Sequence, residues 1–337
     1  MKASPALARA LLAALLIAAL LLPMIAPTYY LQFFAKAMLL AIVAASLNLV
    51  VGFGGMVSLC HGAFFGLAGY VLALASPSSS GASLWTSLPL ALLVVAVAAA
   101  LVGALALRTR GIYFIMATLA FGEMFFYFFH DTRVANGSDG IYIYFEPEIV
   151  IAGWRLVDLG NKTSFYYVAL ASLLLAIIVI STLVRSPFGA ALMAARDNEQ
   201  RARSLGFPVF RIRLTAFVLA AVLAGIAGYF SASQFGFVAP QTLGWHVSAT
   251  LLIMVVLGGM KSVLGPVFGA FALLGLEEIL KSNIEHWKLI EGVIVIALVF
   301  MLPGGLQHLA QLVFADRRAP AGQPGSGASS AGRQHHG

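Results

Sequence analysis

Residues 85–107 read WTSLPLALLVVAVAAALVGALAL, twenty-three positions without a charged side chain. At 1.5 Å of rise per residue such a helix is long enough for the roughly 30 Å hydrocarbon core of a bilayer. The run is continuous rather than alternating, which excludes a barrel strand, whose lipid and lumen faces alternate. Working outward, comparable runs fall near 10–27, 31–51, 62–76, 111–130, 164–184, 214–236, 246–260, 263–281 and 289–302. Several are short or share Gly-rich joints. The expectation is an all-α polytopic membrane protein of about eight to ten transmembrane helices, some of them broken.

Composition agrees. The 337 residues are 61% hydrophobic and 10% charged, with mean hydropathy +0.95, whereas soluble domains carry about 25% charge. Backbone groups in lipid must be satisfied within the fold, which favours helices. The net charge of +7 reads as topology rather than nucleic-acid binding. An N-terminus in the cytoplasm puts fourteen Lys and Arg on the inner side, among them Arg108, Arg110, Arg196, Arg201 and Lys261. The outer side receives five: Arg133, Arg155, Lys162, Lys281 and Lys288. Lys36 is left inside a span. Both termini are therefore expected in the cytoplasm of a multi-pass inner (plasma) membrane protein. The first run has no small-x-small cleavage site before Tyr29 and reads as a retained helix. Cys60 is the one cysteine, so no disulfide framework exists, and with His61 alone beside it no metal site is expected.

Residues 1–314 form the permeation domain on this reading. Residues 315–337, rich in Ala, Gly, Ser and Pro, form a disordered cytoplasmic tail. In the outer loop 131–163, Ile141–Phe145 and Ile149–Leu156 flank Glu146-Pro147 as a short hairpin. The segment Gly54-Gly55-Met56-Val57-Ser58 recurs as Gly258-Gly259-Met260-Lys261-Ser262 at a second inner joint, as two parallel repeats would place it, or chance together with a shared need for close helix packing.

The inner loop 185–213 holds six Arg and two acids. Ser186-Pro187 suits a helix start, Asp197 with Gln200 resembles a capping box, and Gly206 with Pro208 reads as a stop. The punctuation predicts a short polar helix lying crosswise between spans. Its alternative use is a positive anchor on anionic lipid.

The stretch Met193-Ala-Ala-Arg-Asp-Asn-Glu-Gln-Arg-Ala-Arg-Ser-Leu-Gly206 resembles the ATPase-coupling loop of permeases in the branched-chain amino acid ABC importer family, LivM-like branch. Further matching stretches are Ser46–Gly52, Gly55–Phe64, Arg110–Tyr113, Thr118–Glu123, Gly137–Gly140 and Leu257–Met260. Ahead of Ser138-Asp139-Gly140, where the family usually reads Thr-Gly-Gly, this chain has Val134-Ala135-Asn136-Gly137. The resemblance implies one permease subunit, without catalytic residues or cofactors of its own. It would work with a second homologous permease, two cytoplasmic ATPase subunits and a periplasmic substrate-binding protein. The chain carries no Gly-x-x-x-x-Gly-Lys-Ser/Thr phosphate loop. Asp197, Asn198, Glu199, Gln200, Arg201, Arg203 and Gly206 would form the coupling loop, with Asp197 capping its helix. The substrate would be a branched-chain amino acid or a related small polar solute, moved by alternating access.

Inside the spans, Glu123 is costly to bury unless it meets a partner or a cavity. With Ser58 and His61 at a Gly-rich joint it is a candidate for the translocation path, and Ser138 and Asp139 for the outer mouth or a binding-protein contact. Gly52, Gly54, Gly55, Gly66 and Gly69 read as close-packing positions. The rival reading is a proton-coupled secondary transporter using Glu123. An intramembrane enzyme would need Ser58, His61, Glu123 and His130 gathered on neighbouring spans, which no spacing enforces.

Overall fold

A computed structural model describes residues 17–301 other than 25, 77–82, 146, 148, 152–153, 158 and 284, together with Gly305. The expected tail 315–337 lies outside the described residues. Each of the ten runs read from sequence contains a helix. α1 is the stretch 17–24, and α2 spans Thr28–Asn48, α3 His61–Ala75, α4 Leu84–Ala106 and α5 Ile112–Asp131. α6 spans Lys162–Arg185, α7 Pro187–Asp197, α8 Glu199–Ser204 and α9 Val209–Phe235. α10 spans Trp245–Gly258, α11 Gly265–Asn283 and α12 Trp287–Met301. Among the described residues, six stretches are long and apolar enough to cross a membrane. The chain is an all-α polytopic membrane protein.

α2 is the central post. With the π-helical turn Leu49–Phe53 that continues it, its span is 83% buried inside the protein, against 28% for α4 and 22% for α5. α6, α9, α10 and α11 pack around it. α4 and α5 turn Leu93, Leu101, Met116 and Met124 outward, as helices in an apolar solvent do. The tyrosine hydroxyls of α6 hold α1: Tyr166 donates to the Ala19 carbonyl and Tyr167 to that of Leu20, at 2.8 and 3.2 Å.

Two helices start in the interior. α3 has fifteen residues and α10 fourteen, roughly 21–23 Å each, too short to span alone. Their N-termini meet: the Gly62 N–H donates to Ser248 Oγ at 2.9 Å, and a Cβ on Gly62 would lie 3.2 Å from the Gly244 carbonyl. From there α3 runs to one end of the bundle and α10 to the other. Residues 237–244 descend beside α3 as β4 (Phe237–Val238) and a 3₁₀ turn, Pro240–Thr242, before α10 begins. A Cβ on Gly66 would come 2.7 Å from Leu243 Cγ, so that descent requires the glycine. Non-helical backbone at this depth is tolerated only where protein or a cavity surrounds it.

The hairpin expected across Glu146-Pro147 does not form. β1 (Ile141–Tyr142) pairs antiparallel with β4, while β2 (Ile149–Ile151) pairs with β3 (Trp154–Val157). Gly140, at φ +73°, explains the first pairing. A Cβ there would stand 2.4 Å from the Val238 carbonyl, so glycine lets the loop close on the distant strand.

Candidate functional site

The arginine-rich end of the bundle carries the loop between α6 and α9. Ser186 caps α7, accepting from the Gly189 N–H at 3.4 Å, with Pro187 in the first turn. The sequence assigned the next cap to Asp197, and the structure corrects this. Asp197 is the last residue of α7, and Asn198, extended at φ −153°, accepts from the Arg201 N–H at 2.9 Å. A cap must leave helical geometry to turn its oxygen onto the third helical amide, and Asn198 is the residue that does. α8 closes as read. The Phe207 N–H reaches the Ala202 carbonyl at 3.1 Å and the Gly206 N–H that of Arg203 at 2.9 Å, with Gly206 at φ +85°.

Glu199 fixes this short helix to the bundle. Its carboxylate accepts from Arg203 at 2.5 Å, Arg213 at 2.9 Å and Arg110 at 3.1 Å. Partial burial raises its pKa, but the charges of Arg213, Arg110 and Arg203 outweigh this and hold it below the ordinary glutamate value. Arg213 also donates to the Ala195 carbonyl, tying α9 to α7. Arg203 is therefore engaged within the chain. The Arg201 side chain is exposed and has no ion pair among the described residues. Beside it, Leu205 is 69% and Phe207 40% exposed, an apolar tip on a polar element.

A second contact leads inward. Arg196, at the end of α7, donates its guanidinium to the Gly52 carbonyl in the π turn that ends α2. Gly55, at φ +67°, lies under the same side chain, where a Cβ would meet Arg196 Cγ at 2.7 Å. The two Gly-Gly-Met joints read from sequence lie against each other here. Asn48 donates to the Ser262 carbonyl at 2.8 Å, and a Cβ on Gly52 would meet the Met260 carbonyl at 2.3 Å.

The path candidates converge only in part. Ser58 and His61 are fully buried. Ser58 accepts from the Cys60 N–H, and His61 packs edge-on against Phe64 and Phe217. Glu123, half-buried on α5, accepts from the Trp245 N–H at 3.1 Å. It thereby places a carboxylate at the N-terminus of α10, where the helix dipole favours negative charge. Thr118 and Gly122 of α5 rest on Leu59 and Cys60, so α5 packs against the start of α3 as well as that of α10. Ser138 and Asp139 are exposed at the opposite end from the arginine-rich loop, the serine hydroxyl donating to its neighbour at 3.3 Å. His130 pairs with Asp131. The sequence reading did not single out Arg196, Arg213 or Asn48 as contacts. Their partners lie across the bundle, Arg196 being 144 positions from Gly52, and no local spacing signals that.

The family described as "Branched-chain amino acid transport system / permease component" matches residues 29–301. The chain is 35% identical over 288 residues to the high-affinity branched-chain amino acid transport system permease protein LivM of Salmonella typhimurium. That match covers 80% of this chain and 68% of the relative. LivM of Escherichia coli K12 is 34% identical over the same shares. The autoinducer 2 import system permease protein LsrC of Escherichia coli O157:H7 is 33% identical over 138 residues, 39% of this chain and 40% of that one. No solved structure matches significantly. The chain belongs to the branched-chain amino acid transport system permease family, and is a membrane-spanning transport subunit rather than an enzyme.

Proposed function

We propose that this ABC importer permease pairs with a second, homologous permease, docks two cytoplasmic ATPase subunits, and receives branched-chain amino acids or related small polar solutes from a binding protein. The arginine-rich end faces the cytoplasm, which puts both termini there, and residues 197–206 are the ATPase-coupling loop. Ser138 and Asp139 then lie at the outer mouth. The single observation behind this reading is the path from α8 to the bundle: Glu199 clamps α8 to Arg110 and Arg213, and Arg196 joins the adjoining α7 to the broken end of α2. A partner that moves α8 therefore moves the joint before α3. The exposed Arg201 and the Leu205–Phe207 tip are the groups left to meet that partner.

The test is co-purification. Express the chain with the genes encoded beside it, solubilise gently and identify what is retained, then repeat with Arg201→Glu. An ATPase and a second permease in the first sample, with the ATPase lost in the second, support the reading. A chain that purifies alone and transports on a proton gradient without ATP overturns it.

A further inference from the structure

Lys36 is a cation inside a membrane span that neither the coupling loop nor the α3–α5–α10 contact uses. It lies eight residues into α2, about 12 Å along the helix, is half-buried, and has no ion pair among the described residues. It lines a cavity of about 510 Å³ between α2, α3, α9 and α10, within the roughly 300–1,000 Å³ of small-molecule sites. The walls are apolar, with Leu40, Phe65, Val247, Leu251 and Met254 among them. Three hydroxyls reach it. Thr242 donates to the Ala239 carbonyl at 2.8 Å and Thr250 to that of His246 at 3.0 Å, so both have spent their protons. Ser231 and Lys36 are the lining side-chain donors without a protein acceptor among the described residues.

An ammonium in hydrocarbon costs several kcal/mol unless an anion or water answers it. The cavity offers two donors with nothing to accept from them, two threonine oxygens that can still accept, and otherwise apolar wall. Its complement is a group that only accepts, carried on an apolar body, and an ionised carboxylate is acceptor-only. We propose that this cavity binds the carboxylate of a small apolar solute, with Lys36 and Ser231 donating to it and the apolar walls holding its side chain. The assignment deepens the permease reading, on which the identification of that carboxylate as transported solute rests.

The test reads the cavity directly. Cys60 is the one cysteine and is fully buried, so Thr250→Cys gives the full-length chain a reporter thiol on the cavity wall. Labelling by a small thiol reagent is followed in nanodiscs of phosphatidylcholine. Leucine and 4-methylpentanoate should slow it about threefold or more at millimolar concentration, by mass action on the occupied site. 3-Methylbutylamine, which lacks the carboxylate, should not. Adding Lys36→Met should remove the protection and Lys36→Arg should keep it. Thr242→Cys, on the same wall, serves as reporter if Thr250→Cys folds poorly.

Equal protection by the amine, protection that survives Lys36→Met, or no protection by either carboxylate overturns the proposal. So does protection that appears only with phosphatidylglycerol, which assigns Lys36 to lipid. Co-purification of the ATPase tests the permease reading separately, so failure of one is distinguishable from failure of the other.

Discussion

The guanidinium of Arg196 donates to the main-chain carbonyl of Gly52, joining the end of α7 to the π-helical turn that continues α2. A charged donor on a carbonyl is worth about 1.5–3 kcal/mol. Arg196→Ala should therefore lower ATP-driven uptake about tenfold or more while the ATPase still co-purifies. Uptake equal to wild type in proteoliposomes would remove the contact from the mechanism.

Gly52 allows two joints to touch. A Cβ there would stand 2.1 Å from Asn48 Oδ1 and 2.3 Å from the Met260 carbonyl. The second is main chain and cannot rotate away. Gly52→Ala is expected to cost about 1–3 kcal/mol, as overpacked sites do, and to lower the melting temperature of the detergent-solubilised chain. Gly275→Ala, with nothing within 4 Å, is the control and should be neutral or slightly stabilising.

The correction at the cap has its own measurement. Asn198→Ala should cost α8 about 1 kcal/mol and speed amide exchange at Arg201, whose N–H it leaves unbound. Asp197→Ala should leave that amide protected. The reverse pattern would restore Asp197 as the cap.

Glu199 gives α8 a pH dependence. Its folded pKa lies below the ordinary glutamate value, held down by three guanidinium groups. The stabilisation is present above the unfolded value and is lost as pH falls through the folded one. The protection factor across 199–204, exchange relative to the intrinsic rate at each pH, should therefore be flat from neutral pH down to about 5 and fall in more acid solution. Glu199→Gln should show the lowered protection already at neutral pH, with the acid limb gone.

Glu123 separates two roles that the geometry superposes. Glu123→Gln keeps an oxygen for the Trp245 N–H but removes the charge. If the carboxylate lines the translocation path, assembly persists while uptake falls. Normal uptake would leave it the work of holding the start of α10.

The spans were legible because each is decided by neighbours in sequence. A charge-free run such as 85–107 has one solvent in which it is stable. The same holds for Ser186-Pro187 and Gly206, whose geometry is local. What failed was decided across the bundle. Ile141 pairs with Val238 rather than with its own loop, because Gly140 admits a strand almost a hundred positions away. Asp197 and Asn198 are both good caps, and where α7 stops, set by its packing, chooses between them. Arg110 lies 89 positions from Glu199, and only the folded bundle makes them one cluster.

The inward start of α10 bears on how the chain is made. The fourteen residues of α10 reach crossing length only together with the 3₁₀ turn before them, Pro240–Thr242. Their first amide is answered by Glu123 of α5, and the strand before them by residues 141–142. The start of α10 and the strand before it therefore find their partners only once the first half has been laid down. Ribosomal truncation after α9 should leave a settled intermediate, and the later helices produced alone should be cleared by membrane proteases.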